Sequence, residues 1–134
     1  HLELNLSGAQ LSEILPALEG RGVNVVVDHF GLLRSPAGME GDGFQALLRA
    51  IERGNVWVKI SAGFRLAPDL MHAAAAKLLA AAGPERLLWG SDAPFVGKER
   101  DMSYEAALRI FRDIVPDPVI RRKISDTGLR FYFF

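Results

Sequence analysis

No cysteine occurs among the 134 residues, which excludes disulfides and thiolate metal sites and leaves the redox compartment open. No charge of one sign dominates: sixteen Lys plus Arg balance sixteen Asp plus Glu. A strongly basic nucleic-acid binder and a polybasic membrane-surface protein are thereby excluded. No apolar run reaches the roughly 18 residues of a membrane span, and the alanine-rich stretch from Ala73 to Ala82 is broken by Lys77. Walker loops, Gly-x-Ser-x-Gly elbows and His-Glu-x-x-His motifs are missing. Gly41-Asp42-Gly43-Phe44-Gln45-Ala46 spells a dinucleotide-binding pattern, but polar and small residues precede it where a strand is required. It is not read as a nucleotide site. Neither nucleic acid nor a membrane is an expected partner.

What is present is a globular composition, 49% hydrophobic and 24% charged, of a length suited to one domain. The chain starts at His1 with an apolar alternation, as if inside a strand, and shows no signal or transit peptide. We read residues 1–134 as a single partial domain, a piece of a longer polypeptide, with the cytoplasm as its expected location.

Short β-rich runs alternate with helical ones. Leu2 to Leu6 alternates with period two, a strand signal. Ser7 and Gln10 match a capping box, and Leu11, Ile14, Leu15 and Leu18 follow at helical spacing with Pro16 bending the helix. Val23 to Asp28 is nearly continuous and β-branched, as strands buried on both faces are. A Gly- and Pro-rich loop then runs to about Gly41. Asp42 caps the next helix, with Phe44, Leu47, Leu48 and Ile51 on one face and Gly54 as its stop. Asn55 to Ile60 is a third strand, and Pro68 opens a helix ended by Gly83-Pro84. Arg86 to Trp89 is a fourth. Ser103 caps a helix with Tyr104, Ala107, Leu108, Phe111, Ile114 and Val115 inward, and Asp117-Pro118 opens a short last helix. An apolar tail from Leu129 to Phe134 requires a surface to pack on.

Four strands each followed by a helix imply βαβ units and a parallel sheet. Such a set builds a small open sheet or half of a (β/α)₈ barrel, which takes about 250 residues in full. Both place chemistry at the carboxyl ends of strands.

Those ends select the candidates. His29, after the second strand, suits a metal, a substrate carboxylate or a proton relay, or else is simply satisfied by its neighbours. Asp92, after the fourth, suits a base toward water or a metal ligand, or else a turn residue. Lys59 places a charge in an apolar strand, and it either meets substrate or snorkels to solvent. Arg65 is placed to clamp a carboxylate with two donors, or is a solvated loop residue. His72 and His1 receive no role.

Three segments together resemble the amidohydrolase-related family, in its branch of 2-pyrone-4,6-dicarboxylate and sugar lactonases. They are Val25-Val26-Val27-Asp28-His29-Phe30-Gly31, Val56-Trp57-Val58-Lys59-Ile60-Ser61-Ala62 and Leu87-Leu88-Trp89-Gly90-Ser91-Asp92-Ala93-Pro94. Asp126-Thr127-Gly128-Leu129-Arg130-Phe131-Tyr132 is similar to the family's closing segment. The resemblance implies an α/β fold, the C-terminal half of a (β/α)₈ TIM barrel with strands five to eight and the closing helix. It implies a hydrolase that opens a lactone or cyclic ester bearing a carboxylate. Asp92 and His29 are then the catalytic pair, Asp92 being the base toward water, and Arg65, Lys59 and Ser61 contact substrate.

If a metal is bound, His29 and Asp92 are its ligands, and one divalent ion, zinc or manganese, is the implied cofactor. Metal-free catalysis is equally consistent, because Asn5 or Ser7 stands where metal-dependent relatives carry a strand-five histidine. The alternatives are a decarboxylase of the same family and an inactive half-barrel fragment. Open barrel edges make self-association of such a fragment an expectation.

Overall fold

The computed structural model describes residues 1–133. Four parallel strands pair in chain order: β1 (Leu2–Leu4), β2 (Val25–Val27), β3 (Val56–Lys59) and β4 (Leu87–Leu88). Their register aligns Leu2 with Val25 and Val56, Glu3 with Val26 and Trp57, and Lys59 with Leu88. Between them run α1 (Gly8–Leu18), α2 (His29–Leu32), α3 (Pro36–Glu40), α4 (Asp42–Arg53) and α5 (Pro68–Ala82), and after them α6 (Tyr104–Ile114) and α7 (Pro118–Tyr132).

The period of two along each strand divides the sheet into two faces. Val25, Val27, Val56, Val58, Ile60 and Leu87 join the main core with Leu11 and Leu15 of α1, Phe44, Leu47 and Ile51 of α4, Leu78 of α5 and Phe111 of α6. Glu3, Val26, Trp57, Lys59 and Leu88 lie on the other face by register. That second, inner face is partly closed by the end of α7. Phe131 packs on Trp57 with ring centroids 4.7 Å apart, and the Tyr132 hydroxyl donates to Glu3 Oε1 at 2.6 Å.

Several sequence expectations are corrected. The strands are shorter than their β-rich runs, although single backbone bonds such as Asp28 N–H to the Leu4 carbonyl and Ile60 N–H to the Leu88 carbonyl reach past their ends. The loop after the second strand contains a left-handed turn, α2, and a short helix, α3. Gly41, not Asp42, is the N-cap of α4, and Asp42 stands in its first turn, where its carboxylate favours the helix dipole. Tyr104 is exposed, its ring set edge-on to Trp89. The last helix is not short. It runs for 15 residues and absorbs the apolar tail up to Tyr132; Phe134 lies outside the described residues. At Ser7 the Gln10 side chain accepts from both the backbone N–H and the hydroxyl; Ser103 and Asp117 cap as expected, with Ser103 Oγ accepting from the Ala106 N–H and Asp117 Oδ1 from the Val119 N–H.

Gly43 has a packing role that the rejected dinucleotide pattern concealed. It sits where α4 meets the start of α1, and a Cβ there would overlap the Gly8 carbonyl. Gly128, within α7, faces open space. Gly43→Ala should therefore lower stability by about 1–3 kcal/mol, as overpacking does. Gly128→Ala should raise it by about 0.5–1 kcal/mol through helix propensity alone. Urea-denaturation midpoints check both; shifts of the same sign would remove the close-approach explanation.

Candidate active site

Four of the five residues selected from the sequence form one connected row at the carboxyl end of the sheet. Ser61, just past β3, has its Oγ 2.7 Å from His29 Nδ1. His29, just past β2, has its Nε2 3.5 Å from Asp92 Oδ1, too far for a direct hydrogen bond. Asp92, past β4, accepts from Arg65 Nε at 3.0 Å on its other oxygen, Oδ2, which also lies 3.0 Å from Arg65 Nη2. Arg65 Nη2 donates to the Val96 carbonyl at 3.0 Å, and the guanidinium lies over the Phe64 ring at 4.8 Å. The Asp92 carboxylate is thus fixed on one side by a guanidinium and open on the side that faces the imidazole.

Backbone conformation aims these groups. His29, Ala62 and Asp92 all have positive φ (51°, 56° and 65°), and Phe30 and Leu32 continue the left-handed turn after β2. Non-glycine residues rarely adopt this region. Its recurrence at three strand ends turns the chain sharply out of the sheet. No propensity reading of the sequence reveals it.

Lys59 belongs to a second network, one layer deeper. Its Nζ lies 2.9 Å from Glu3 Oε2 and 2.9 Å from Asp28 Oδ1. Burial alone would lower the lysine's proton affinity, but the hydrogen bond to Glu3 and the pairing with Asp28 outweigh it and hold it above its ordinary range. Burial likewise opposes ionisation of Glu3, yet hydrogen bonds from Tyr132 and Lys59 keep its carboxyl below its ordinary value. Burial and the bond to Glu3 push the Tyr132 phenol up to about 12. Glu3, Asp28 and Tyr132 were not selected from the sequence. The available signal was Glu3 as the odd charge in Leu2-Glu3-Leu4, matching Lys59 as the odd charge in β3.

Other features lie elsewhere. His72 pairs with Asp113 at 2.9 Å on the surface. A cleft of about 380 Å³, lined by Leu15, Val23, Ala46 and Arg49 among others, opens at the amino ends of β2 and β3, opposite the site. Among the described residues no helix is long and apolar enough to cross a membrane.

A family model described as amidohydrolase matches residues 9–134. The chain belongs to the amidohydrolase family. It is 26% identical over 132 residues to the 4-sulfomuconolactone hydrolase of Rhizobium radiobacter, covering 92% of this chain and 44% of that protein. It is 29% identical over 111 residues to the D-galactarolactone isomerase of Agrobacterium fabrum, covering 80% and 38%. A Pseudomonas putida structure assigned as a 2-pyrone-4,6-dicarboxylic acid hydrolase superposes with a TM-score of 0.87 at 34% identity, covering 97% of this chain and 50% of that one. An Acinetobacter baumannii structure of the same assignment, with citric acid bound, gives 0.88 at 27% identity, covering 98% and 52%. The chain spans about half the length of the proteins it matches, from 38% to 52% across these four. Its four βα units are those of half a (β/α)₈ barrel.

For an amidohydrolase chain the fit to a metal can be tested on its donors. His29 Nε2 and Asp92 Oδ1 converge, but no group of three or more His, Cys, Asp or Glu side chains able to hold an ion occurs among the described residues. A catalytic zinc takes three protein ligands. The donors present do not by themselves build that site.

The inner network sets a pH dependence. A carboxyl held below its ordinary value contributes stability that is complete above that value, about 4.5 here, and is lost as pH falls through the lower, folded-state value. Glu3→Gln should therefore flatten the decline of stability with acidification below about pH 4.5. Urea midpoints between pH 3 and 7 report this, and identical acid slopes in the two proteins would remove Glu3 from the account.

Proposed function

We propose that this chain supplies the reacting half of a lactone hydrolase, with Asp92 as the base that activates water. The observation that carries the reading is the asymmetric hold on Asp92: Arg65 occupies Oδ2 while Oδ1 faces His29 across 3.5 Å. A water bound beside that pair meets both a proton acceptor, Asp92 Oδ1, and an imidazole. The relatives support lactones as the substrate class, since one is named a sulfomuconolactone hydrolase and another a galactarolactone isomerase.

The step follows from these groups. Water oxygen attacks the lactone carbonyl carbon and its proton passes to Asp92 Oδ1. Charge develops on the carbonyl oxygen, where an N–H from His29 Nε2 stabilises it. The ring C–O bond then breaks, and the proton held by Asp92 passes to the departing oxygen. Arg65 orients the base through Nε and Nη2, and its remaining Nη1 donors are available for a substrate carboxylate. Lys59 supports the site from beneath rather than meeting substrate, because both its partners are already carboxylates of the sheet. A divalent ion, when bound, would draw on His29 and Asp92, take its remaining ligands from outside this chain and supply Lewis acidity. Residues 1–134 act in this reading as one partial domain of a barrel. Where the chain stands alone, its open strand edges favour self-association.

The isomerase relative gives a second reading, in which a hydroxyl of the substrate replaces water at the same carbonyl. Turnover in ¹⁸O-labelled water separates the two: hydrolysis places one label in the product carboxylate and isomerisation none. In the polypeptide that carries this chain, Asp92→Asn should lower turnover by about 10²- to 10⁴-fold with an unchanged circular dichroism spectrum. Full activity in that variant would end the assignment. Arg65→Ala should raise the KM of carboxylated lactones more than that of neutral ones, and equal losses for both would leave Arg65 only its hold on Asp92.

A further inference from the structure

We propose that Ser61 is a positioning residue that sets the tautomer of His29, so that Nε2 presents an N–H, and not a lone pair, toward Asp92. The inference deepens the reading of Asp92 and His29 as the reacting pair and rests on it for its catalytic meaning, though not for its test.

A neutral imidazole carries one donor nitrogen and one acceptor nitrogen, and the partners of the ring decide which is which. On one side, His29 Nε2 faces the carboxylate oxygen Oδ1 of Asp92 at 3.5 Å. An ionised carboxylate only accepts. A bare lone pair aimed at it is repelled, whereas an N–H is attracted. The proton therefore belongs on Nε2, which leaves Nδ1 as the acceptor.

On the other side, Nδ1 lies 2.7 Å from Ser61 Oγ. A serine hydroxyl is able to donate, which is what a bare Nδ1 requires. Ser61 is 2% exposed, so bulk water does not compete for its hydroxyl. Among the described residues the Ser61 hydroxyl has no other hydrogen-bond partner, so its single proton is committed to the ring. The next residue, the left-handed Ala62, is itself 3% exposed, so the turn that follows the serine is buried as well.

This arrangement assigns Ser61 away from substrate contact, the role its family resemblance implies. Its hydroxyl is engaged by the imidazole and lies beneath it. Its effect on chemistry passes through His29: only the Nε2–H tautomer offers a donor to the oxygen on which charge develops.

The test is spectroscopic and needs no substrate. Long-range ¹H–¹⁵N correlation on histidine-labelled protein distinguishes the two neutral tautomers, and the difference from a His29→Asn variant assigns the ring. The wild-type ring, when neutral, should show protonated Nε2 and bare Nδ1. Ser61→Ala should raise the Nδ1–H form by about five- to tenfold, the worth of one hydrogen bond, and Ser61→Thr should restore the wild-type pattern. A wild-type ring protonated on Nδ1 would overturn the proposal, as would an unchanged tautomer ratio in Ser61→Ala. If the threonine variant does not fold, the wild-type and Ser61→Ala spectra together decide. Because the readout is taken without turnover, loss of the lactonase reading through an active Asp92→Asn protein would leave this result standing.

Discussion

The ammonium of Lys59 is the charge on which the inner face of the sheet depends. It joins β1 to β3 through Glu3 and reaches the end of β2 through Asp28, both at 2.9 Å. Desolvation opposes a cation there, and two carboxylates reverse the balance. Two carboxylates on one ammonium leave an excess of negative charge, which the Tyr132 hydroxyl moderates by donating to Glu3. Removing one member of such a set leaves an uncompensated charge near the core, which costs more than the set gains by existing. Barrel interiors are mostly layers of branched apolar side chains. Here Val26, Trp57 and Leu88 provide the apolar part, and beside them Glu3, Lys59 and Asp28 form an ion network that ties the ends of β1, β2 and β3 together.

That constraint passes directly to the site. Asp28, held by Lys59, is the residue before His29, so the direction in which the chain leaves β2 is fixed by the ion pair below it. The left-handed turn that follows costs roughly 1–2 kcal/mol per non-glycine residue and persists only where the surroundings over-determine it. They do so at each strand end through a buried neighbour. Phe30 after His29 is fully buried, Ala62 after Ser61 is 3% exposed, and Phe95, three residues beyond Asp92, is 9% exposed. At His29 and Asp92 the side chain is aimed outward because the next buried apolar group is anchored inward.

The architecture was legible because the hydrophobic period changes cleanly between 2 and 3.6 and because caps and stops stand where helices begin and end. Ser103, Asp117, Gly54 and Gly83 all act as their types suggest. The strand-end rule then reached Ser61, His29, Asp92 and Arg65 as a group. It did not show how they are wired. Arg65 reads in sequence as a clamp for a carboxylate or a solvated loop cation, and the sequence does not name the carboxylate that its fork is turned onto, Asp92, 27 residues away. Lys59 reads as a cation seeking solvent or substrate, whereas its partners come from two other strands. Long-range pairing of charges leaves no periodic trace, and neither does a positive φ at a non-glycine residue. The length of α7 is not legible because the apolar run from Leu129 reads as a separate tail, while packing of Ile124, Thr127 and Phe131 carries the helix through.

Exposure orders the four site residues and separates their roles. Ser61 is 2% exposed, the side chains of His29 and Asp92 are 19% and 18% exposed, and that of Arg65 is 32% exposed. The row therefore runs from the core to the surface. A group at the buried end acts only through its neighbour. A group at the outer end, long and with donors to spare, is the one that an arriving anion meets first. The two between them share one gap and present opposite hydrogen-bonding character to it, an acceptor from Asp92 and a donor from His29. Such a pair suits a reaction in which one proton leaves water while charge accumulates on an adjacent oxygen. It is poorly suited to covalent catalysis by the serine, whose hydroxyl is buried behind the imidazole and separated by it from Asp92. The same ordering explains why the site can tolerate strain: its inner members are fixed by packing, and only its outer member retains freedom to adjust to what it binds.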